Sequence, residues 1–347
     1  MRFQFTKTDS LSEESIIYAD ASALYPHHTE AGTFSYGFVT QEIVRENADL
    51  QIPELNSGFE AFEWFAGADP FRLTQNDFGV GSQYDGQGQL PLIFSSKVPT
   101  SGNYELCIRF YAMNDTDNVV IFAGRRRLVW IGDVSAGQFY TVRCIENVSP
   151  VIPRFHSEKM EDTSVRIALL GKGIFLNSLS FHVWEGPTVY IAGDSTVTDQ
   201  TGCYPYFPEH CYSGWGQMLS AYLKCDMAVS NHAHSGLTTE SFRSEGHYDI
   251  MHSLIKAGDY VFFQFAHNDQ KLPELTADGG YRNNLLRYIS EIKEIGATPV
   301  LVTPLARNTW FGNREEYNDL LLLYAEECKK IASEEQIPLI DLHGRVK

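Results

Sequence analysis

No run in this sequence approaches the roughly 18 consecutive apolar residues of a membrane-spanning helix, so no helical span is expected. Basic residues are scarce: 27 Lys and Arg stand against 44 Asp and Glu, leaving a formal net charge of −17. Such a surface repels phosphate backbones and anionic lipid on average, which excludes nucleic acid and membrane as expected partners. The one dense basic run, Arg125-Arg126-Arg127, lies between apolar strand-like stretches and reads as a solvated turn or strand face. Cysteines are few and lack metal-ligand spacing: Cys107, Cys144, Cys203, Cys211, Cys225 and Cys328. A chain of 347 residues does not need disulfide staples, so reduced thiols are expected, with Cys203 and Cys211 unbonded. Residues 1–10 lack the apolar core of a secretory signal, because Arg2, Lys7 and Asp9 interrupt them; a cytoplasmic protein is the expectation. Internal repeats and low-complexity tracts are absent, and nothing signals an oligomeric state.

What is present is the composition of a packed protein, 43% hydrophobic and 20% charged, in a chain longer than one core usually spans. Short alternating segments fill the first half, at 92–96, 104–111, 119–123, 128–131, 140–145, 165–170 and 174–183. Pro99-Thr100-Ser101-Gly102-Asn103 and Gly171-Lys172-Gly173 supply hairpin turns between them, so an antiparallel all-β sandwich is expected over residues 1–186. After Trp184-Glu185-Gly186-Pro187 the pattern changes to continuous apolar runs at 189–192, 227–230, 260–265, 299–303 and 338–342. Helical stretches separate them at 214–223, 241–255, 281–295 and 317–333, the signature of an α/β domain with a parallel sheet over residues 187–347. Leu285, Leu286, Ile289, Ile292 and Ile295 form one apolar helix stripe.

Reactive groups in such sheets collect beyond the carboxyl ends of the strands. Three motifs fall there: Gly193-Asp194-Ser195, then Asn231-His232-Ala233-His234-Ser235-Gly236, then Ala266-His267-Asn268-Asp269. Alone, a Gly-Asp-Ser tripeptide more often marks a turn or a helix N-cap. Together the three supply what acyl transfer needs, a nucleophilic hydroxyl on Ser195 and oxyanion donors from Ser195, Gly236 and Asn268.

With Gly214-Trp215-Gly216-Gln217, Ser241-Phe242 and Glu245-Gly246 in order between them, these motifs resemble the SGNH/GDSL hydrolases, in particular the rhamnogalacturonan acetylesterase-like branch. The resemblance covers roughly residues 188–347. It implies a flavodoxin-like three-layer fold, Ser195 as nucleophile, Gly236 and Asn268 as oxyanion donors, and hydrolysis of acetyl esters on pectic or related carbohydrate. The first half resembles, through Gly32-Thr33-Phe34-Ser35-Tyr36-Gly37-Phe38 and Val98-Pro99-Thr100-Ser101-Gly102-Asn103-Tyr104, the galactose-binding-like sandwich that precedes some bacterial members. A sugar-contacting role and a scaffolding role are both open for it.

Two departures stand out. The family usually has Gly where this chain has Ala266. The family's catalytic Asp-x-x-His follows a fifth strand and a further helical stretch, which places it past Lys347, and the late pair here is Asp341 and His343. Residues two apart in a strand share a face, so His343 is a base candidate with Asp341 as neighbour, against the plainer reading of a strand-terminal polar pair. No metal or organic cofactor is implied, since His232, His234 and His267 lie on different loops without a ligand set. Trp215 reads equally as pocket wall or as packing, and Arg307 as solvated surface or cleft. The rivals to a carbohydrate acetylesterase are a non-catalytic carbohydrate-binding protein on a degenerate or truncated esterase fold, and an esterase for small esters or lipids.

Overall fold

The alternating segments of the first half become two sheets in the computed structural model of the chain, which describes residues 1–6, 16–28, 35–40, 72–83, 89–152, 157–200, 213–224, 226–307, 309–311 and 316–345. One sheet runs Gln138–Val148, Gly102–Ala112, Ile174–Val183, Arg2–Gln4, Ile17–Tyr18, with Gly79–Ser82 also on Ile174–Val183 and Leu73–Asn76 beyond it. The other runs Arg127–Val134, Thr116–Ala123, Ser164–Leu170, Leu92–Lys97, Ser35–Val39, His27–His28. Pairing is antiparallel except between Arg2–Gln4 and Ile17–Tyr18. Leu106, Ile108 and Phe110 from the first sheet meet Phe94, Ile121 and Ile167 from the second in one core. Of the two stretches that carry the resemblance of this half, Gly32, Thr33 and Phe34 lie outside the described residues.

Gly102–Ala112 shows period-2 burial, with Tyr104, Leu106, Ile108 and Phe110 inside and Arg109 outside, as a sheet with one wet face requires. Ser164–Leu170 is buried at every position. Its outer face is covered too: Val120, Phe122, Leu128, Ala168 and Leu170 form a second cluster, against which Met218 and Ala221 from the later part of the chain pack. The loop that bears Arg125-Arg126-Arg127 enters this contact, and the three are only 7%, 1% and 4% exposed. The solvated face expected for them is therefore wrong; their charge meets a carboxylate and backbone carbonyls from a distant part of the chain instead of water.

From Thr188 onward the described strands form a parallel sheet in the order Ala228–Asn231, Thr188–Gly193, Tyr260–Gln264, Thr298–Val302, Leu339–Ile340. This 2-1-3-4-5 order is the flavodoxin-like arrangement, and its topological switch point is the carboxyl end of Thr188–Gly193. Tyr190 and Ala192 enter the core on one face, Val189 and Ile191 that on the other, which is why the run is continuously apolar. Arg282–Ile295 buries Leu285, Tyr288, Ile289 and Ile292 and ends at Gly296, whose φ of +83° turns its N–H back to the Ile292 and Lys293 carbonyls. The helix expected at 241–255 is broken into Ser241–Ser244 and His247–His252 by Gly246 at φ +87°. The helix expected at 317–333 starts later, as Leu322–Glu334, because Glu316–Tyr317 pairs with Trp310–Phe311. Among the described residues no helix is long and apolar enough to cross a membrane.

Candidate active site

At the end of Thr188–Gly193 the chain needs glycine: a Cβ on Gly193 would stand 2.7 Å from the Gln264 carbonyl oxygen. The next side chain, Asp194, is fully buried, and its Oδ1 accepts from the Thr196 N–H at 2.9 Å and the Thr196 hydroxyl at 2.8 Å. The Asp194 carbonyl accepts from the Val197 and Thr198 N–H groups at 3.1 and 3.2 Å. The turn so formed pushes Ser195 outward. Ser195 is exposed, its hydroxyl has no hydrogen-bond partner among the described residues, and its carbonyl accepts from Gln200 Nε2 at 3.0 Å.

The second loop is stitched to the first. The His234 N–H donates to the Gly193 carbonyl at 3.1 Å, Thr198 Oγ1 to the Ala233 carbonyl at 2.6 Å, and Asn231 Nδ2 to the Val197 carbonyl at 2.9 Å. Gly236 is exposed at φ +90°, a conformation that favours glycine, and the space where a Cβ would stand is open. In the third loop, Asn268 Nδ2 donates to the carbonyl of Leu237, next to Gly236, at 3.0 Å, and Lys271 Nζ donates to Asn268 Oδ1 at 2.8 Å. Below it the buried Asp269 accepts from the Thr239 N–H and hydroxyl at 2.8 and 2.6 Å and from the Ala266 N–H at 3.1 Å. The three motifs are thus one hydrogen-bonded cluster around the switch point.

His267 lies beside this cluster, with Nδ1 3.4 Å from Asp194 Oδ2, and neither atom has an aligned hydrogen-bond partner among the described residues. Its carbonyl accepts from Arg307 Nη2 at 2.8 Å, so Arg307 braces the third loop rather than standing in solvent. Trp215 packs against the core on its side of the sheet, and its Nε1 donates to Gln264 Oε1 at 2.7 Å, while Gln264 Nε2 donates to Thr196 Oγ1 at 2.6 Å.

A family model described as the GDSL-like Lipase/Acylhydrolase family matches residues 191–347. The probable rhamnogalacturonan acetylesterase YesY of Bacillus subtilis (strain 168) is 36% identical over 158 residues, 44% of this chain and 69% of that protein. The chain belongs to the GDSL-like lipase/acylhydrolase family. Rhamnogalacturonan acetylesterase RhgT of the same organism is 35% identical over 159 residues, 46% of this chain and 66% of that protein, so the chain spans just under two thirds of its length. The crystal structure of the Bacillus subtilis protein YxiM is 21% identical and covers 99% of this chain and 85% of that one, with a TM-score of 0.40.

In this chain both ring nitrogens of His343 are engaged. It is buried, its Nδ1 lies 3.1 Å from the Pro304 carbonyl oxygen and its Nε2 3.1 Å from Asp319 Oδ2, so both ring nitrogens face acceptors. Asp341 is not its ring partner: it accepts from Thr303 Oγ1 and the Gly344 N–H, both at 3.0 Å. Both residues attach to Thr303, whose Oγ1 also accepts from the His343 N–H at 2.9 Å, and so join the ends of two neighbouring strands. Among the described residues no group of three His, Cys, Asp or Glu could hold a metal ion, and His232 Nε2 is 2.9 Å from Ser230 Oγ. Cys107, Cys144 and Cys328 are free thiols, whereas Cys203, Cys211 and Cys225 lie outside the described residues.

Gln264 has no place among the motifs read from the sequence, and the arginines expected in solvent are buried. A polar residue inside the apolar run 260–265 was the available signal for Gln264, since buried polar groups in such runs need a partner.

Ala266, where the family usually has Gly, adopts φ +111° and is fully buried. An L-residue there carries strain of about 1–3 kcal/mol, against which stand the unfolded-state entropy of glycine and one buried methyl. Ala266→Gly is expected to be net stabilising by roughly 0.5 kcal/mol. A urea midpoint that fell instead would mean the methyl packing outweighs the strain.

Two further histidines under the site are held neutral. Burial pushes His247 down to about 4, with His234 adding to the effect, and burial together with Arg125 pushes His232 well below its ordinary range. A depressed histidine pKa means that the unfolded chain takes up a proton before the fold does, so stability falls as pH drops from about 6.5 toward 4. For His247 this is worth up to about 3 kcal/mol. His247→Phe, which keeps a ring beside Phe242, should flatten the pH dependence of the melting temperature over that interval. An unchanged slope would remove His247 from the account.

Proposed function

We propose that this chain carries a serine esterase that removes acetyl groups from carbohydrate, with acetylated rhamnogalacturonan-type pectic material as substrate. Residues 1–186 form its sandwich domain and 187–347 its hydrolase domain. The observation that carries the reading is the cluster itself: an exposed Ser195 whose hydroxyl has no partner among the described residues, on a turn hydrogen-bonded to the loop of the positive-φ Gly236, which the Asn268 amide ties in turn to the end of the neighbouring strand. Ser195 Oγ attacks the acetyl carbonyl carbon, and the N–H groups of Ser195 and Gly236 with Asn268 Nδ2 hold the oxyanion. The general base is the histidine of the Asp-x-x-His segment that the family resemblance implies. It takes the Ser195 proton and delivers it to the departing sugar oxygen, and water then releases acetate from the acyl-serine.

The descriptions of RhgT as a rhamnogalacturonan acetylesterase and of YesY as a probable one support the substrate class. The test is acetate release from acetylated rhamnogalacturonan oligosaccharides by the full-length protein. Steady release is expected, and no acetate above the spontaneous rate would overturn the reading.

A further inference from the structure

The loop between Thr116–Ala123 and Arg127–Val134 does not end in solvent; its arginines reach the backbone that carries the site. Arg126 Nε donates to the Gln200 carbonyl at 3.0 Å, and its Nη2 to Gln217 Oε1 at 3.2 Å. Gln217 Nε2 donates in turn to the carbonyls of Gln200 at 2.9 Å and Arg125 at 3.2 Å. Gln200 Nε2 then donates to the Ser195 carbonyl. Arg125 Nε lies 3.0 Å from Asp199 Oδ2, and its Nη2 donates to the Asn231 carbonyl, where the Gly236 loop begins. Asp199 Oδ1 accepts from Asn231 Nδ2 at 2.9 Å, the amide that also holds the Val197 carbonyl. Arg127 completes the set, with Nε 3.4 Å from Asp199 Oδ2 and Nη1 on the Val229 carbonyl.

Burying three guanidinium groups is a costly way to join two layers, since well-packed apolar residues of similar size usually do as well or better. What guanidinium groups add is direction: rigid forks of donors aimed at chosen carbonyls. Here the carbonyls belong to the Ser195 turn and to the root of the Gly236 loop. Oxyanion donors act only within a few tenths of an ångström of their proper place, and a misplacement of about 1 Å costs on the order of a hundredfold in rate.

We propose that Arg125 and Arg126 are positioning residues for the reaction, acting from the sandwich: Arg126 through Gln200 on the Ser195 turn, Arg125 through Asp199 and Asn231 on the turn and the Gly236 loop. This rests on the serine-esterase reading. The sandwich is then part of the catalytic apparatus without touching substrate.

The test compares Arg126→Met and Arg126→Lys in the full-length protein, following p-nitrophenyl acetate turnover and amide hydrogen exchange. For Arg126→Met, kcat should fall about tenfold to a hundredfold at unchanged KM, with a smaller loss for Lys. Exchange should rise at residues 194–200 and 231–237, while the helix Arg282–Ile295 keeps its protection. Should Arg126→Met fail to fold, Gln200→Leu cuts the last bond of the relay with the arginines in place and should reproduce both effects. Unchanged exchange in both loops, or exchange raised equally throughout the hydrolase half, overturns the proposal. Ser195→Ala separates the two readings: if it turns over as fast as the unaltered protein, the esterase reading fails, and the exchange pattern alone decides the role of the arginines.

Discussion

Replacing Ser195 by alanine is expected to lower kcat for acetyl-ester hydrolysis by on the order of 10⁴-fold or more, because nucleophile and base act as a unit and removing either abolishes the covalent route. The geometry makes this a clean experiment. The hydroxyl is exposed and bonds nothing among the described residues, so its removal leaves no buried group unsatisfied and opens no cavity. Stability should stay within about 0.5 kcal/mol of the parent, as for surface substitutions generally. A melting temperature that holds while acetate release vanishes assigns the loss to chemistry. Equal rates in the two proteins would withdraw Ser195 from the mechanism.

Asn268→Ala should cost about 10²–10³ in kcat, the usual value of one oxyanion donor, with KM nearly constant because the donor is needed chiefly as charge develops. One Nδ2 hydrogen is committed to the Leu237 carbonyl, which fixes the amide plane and leaves the other for substrate. Asn268→Asp is the sharper variant. It keeps the acceptor for Lys271 but sets a carboxylate against both the Leu237 carbonyl and the developing oxyanion, so the loss should exceed that of alanine. A rise in KM at constant kcat would instead mark Asn268 as a ground-state sugar contact.

Much of this architecture is legible in the sequence because its signals are local. Alternation along Gly102–Ala112 and the unbroken apolar run at Thr188–Gly193 reflect one wet face and none, and each can be read within a few residues. The spacing of Leu285, Ile289 and Ile292 does the same for its helix. The Ser195, Gly236 and Asn268 loops are legible because strand ends concentrate reactive groups. What was not legible depends on partners far along the chain. Arg127 meets the carbonyl of Val229, a residue 102 positions later, and no local pattern announces that. His343 is similar: its spacing from Asp341 suggested a pair, but the ring is claimed by Asp319 and Pro304. The break at Gly246 was within reach, since a glycine at φ +87° cannot continue a helix, yet glycine alone does not reveal its φ.

The sheet that is covered on both faces changes how the protein could be divided. Detaching residues 187–347 would uncover Val120, Phe122, Leu128, Ala168 and Leu170 on one fragment and strip Met218 and Ala221 of their seat on the other. A patch of that kind drives association in water. The two halves are therefore not interchangeable parts, and a recombinant protein that exchanged this sandwich for another domain would inherit a seam with the wrong shape and no arginines behind its serine.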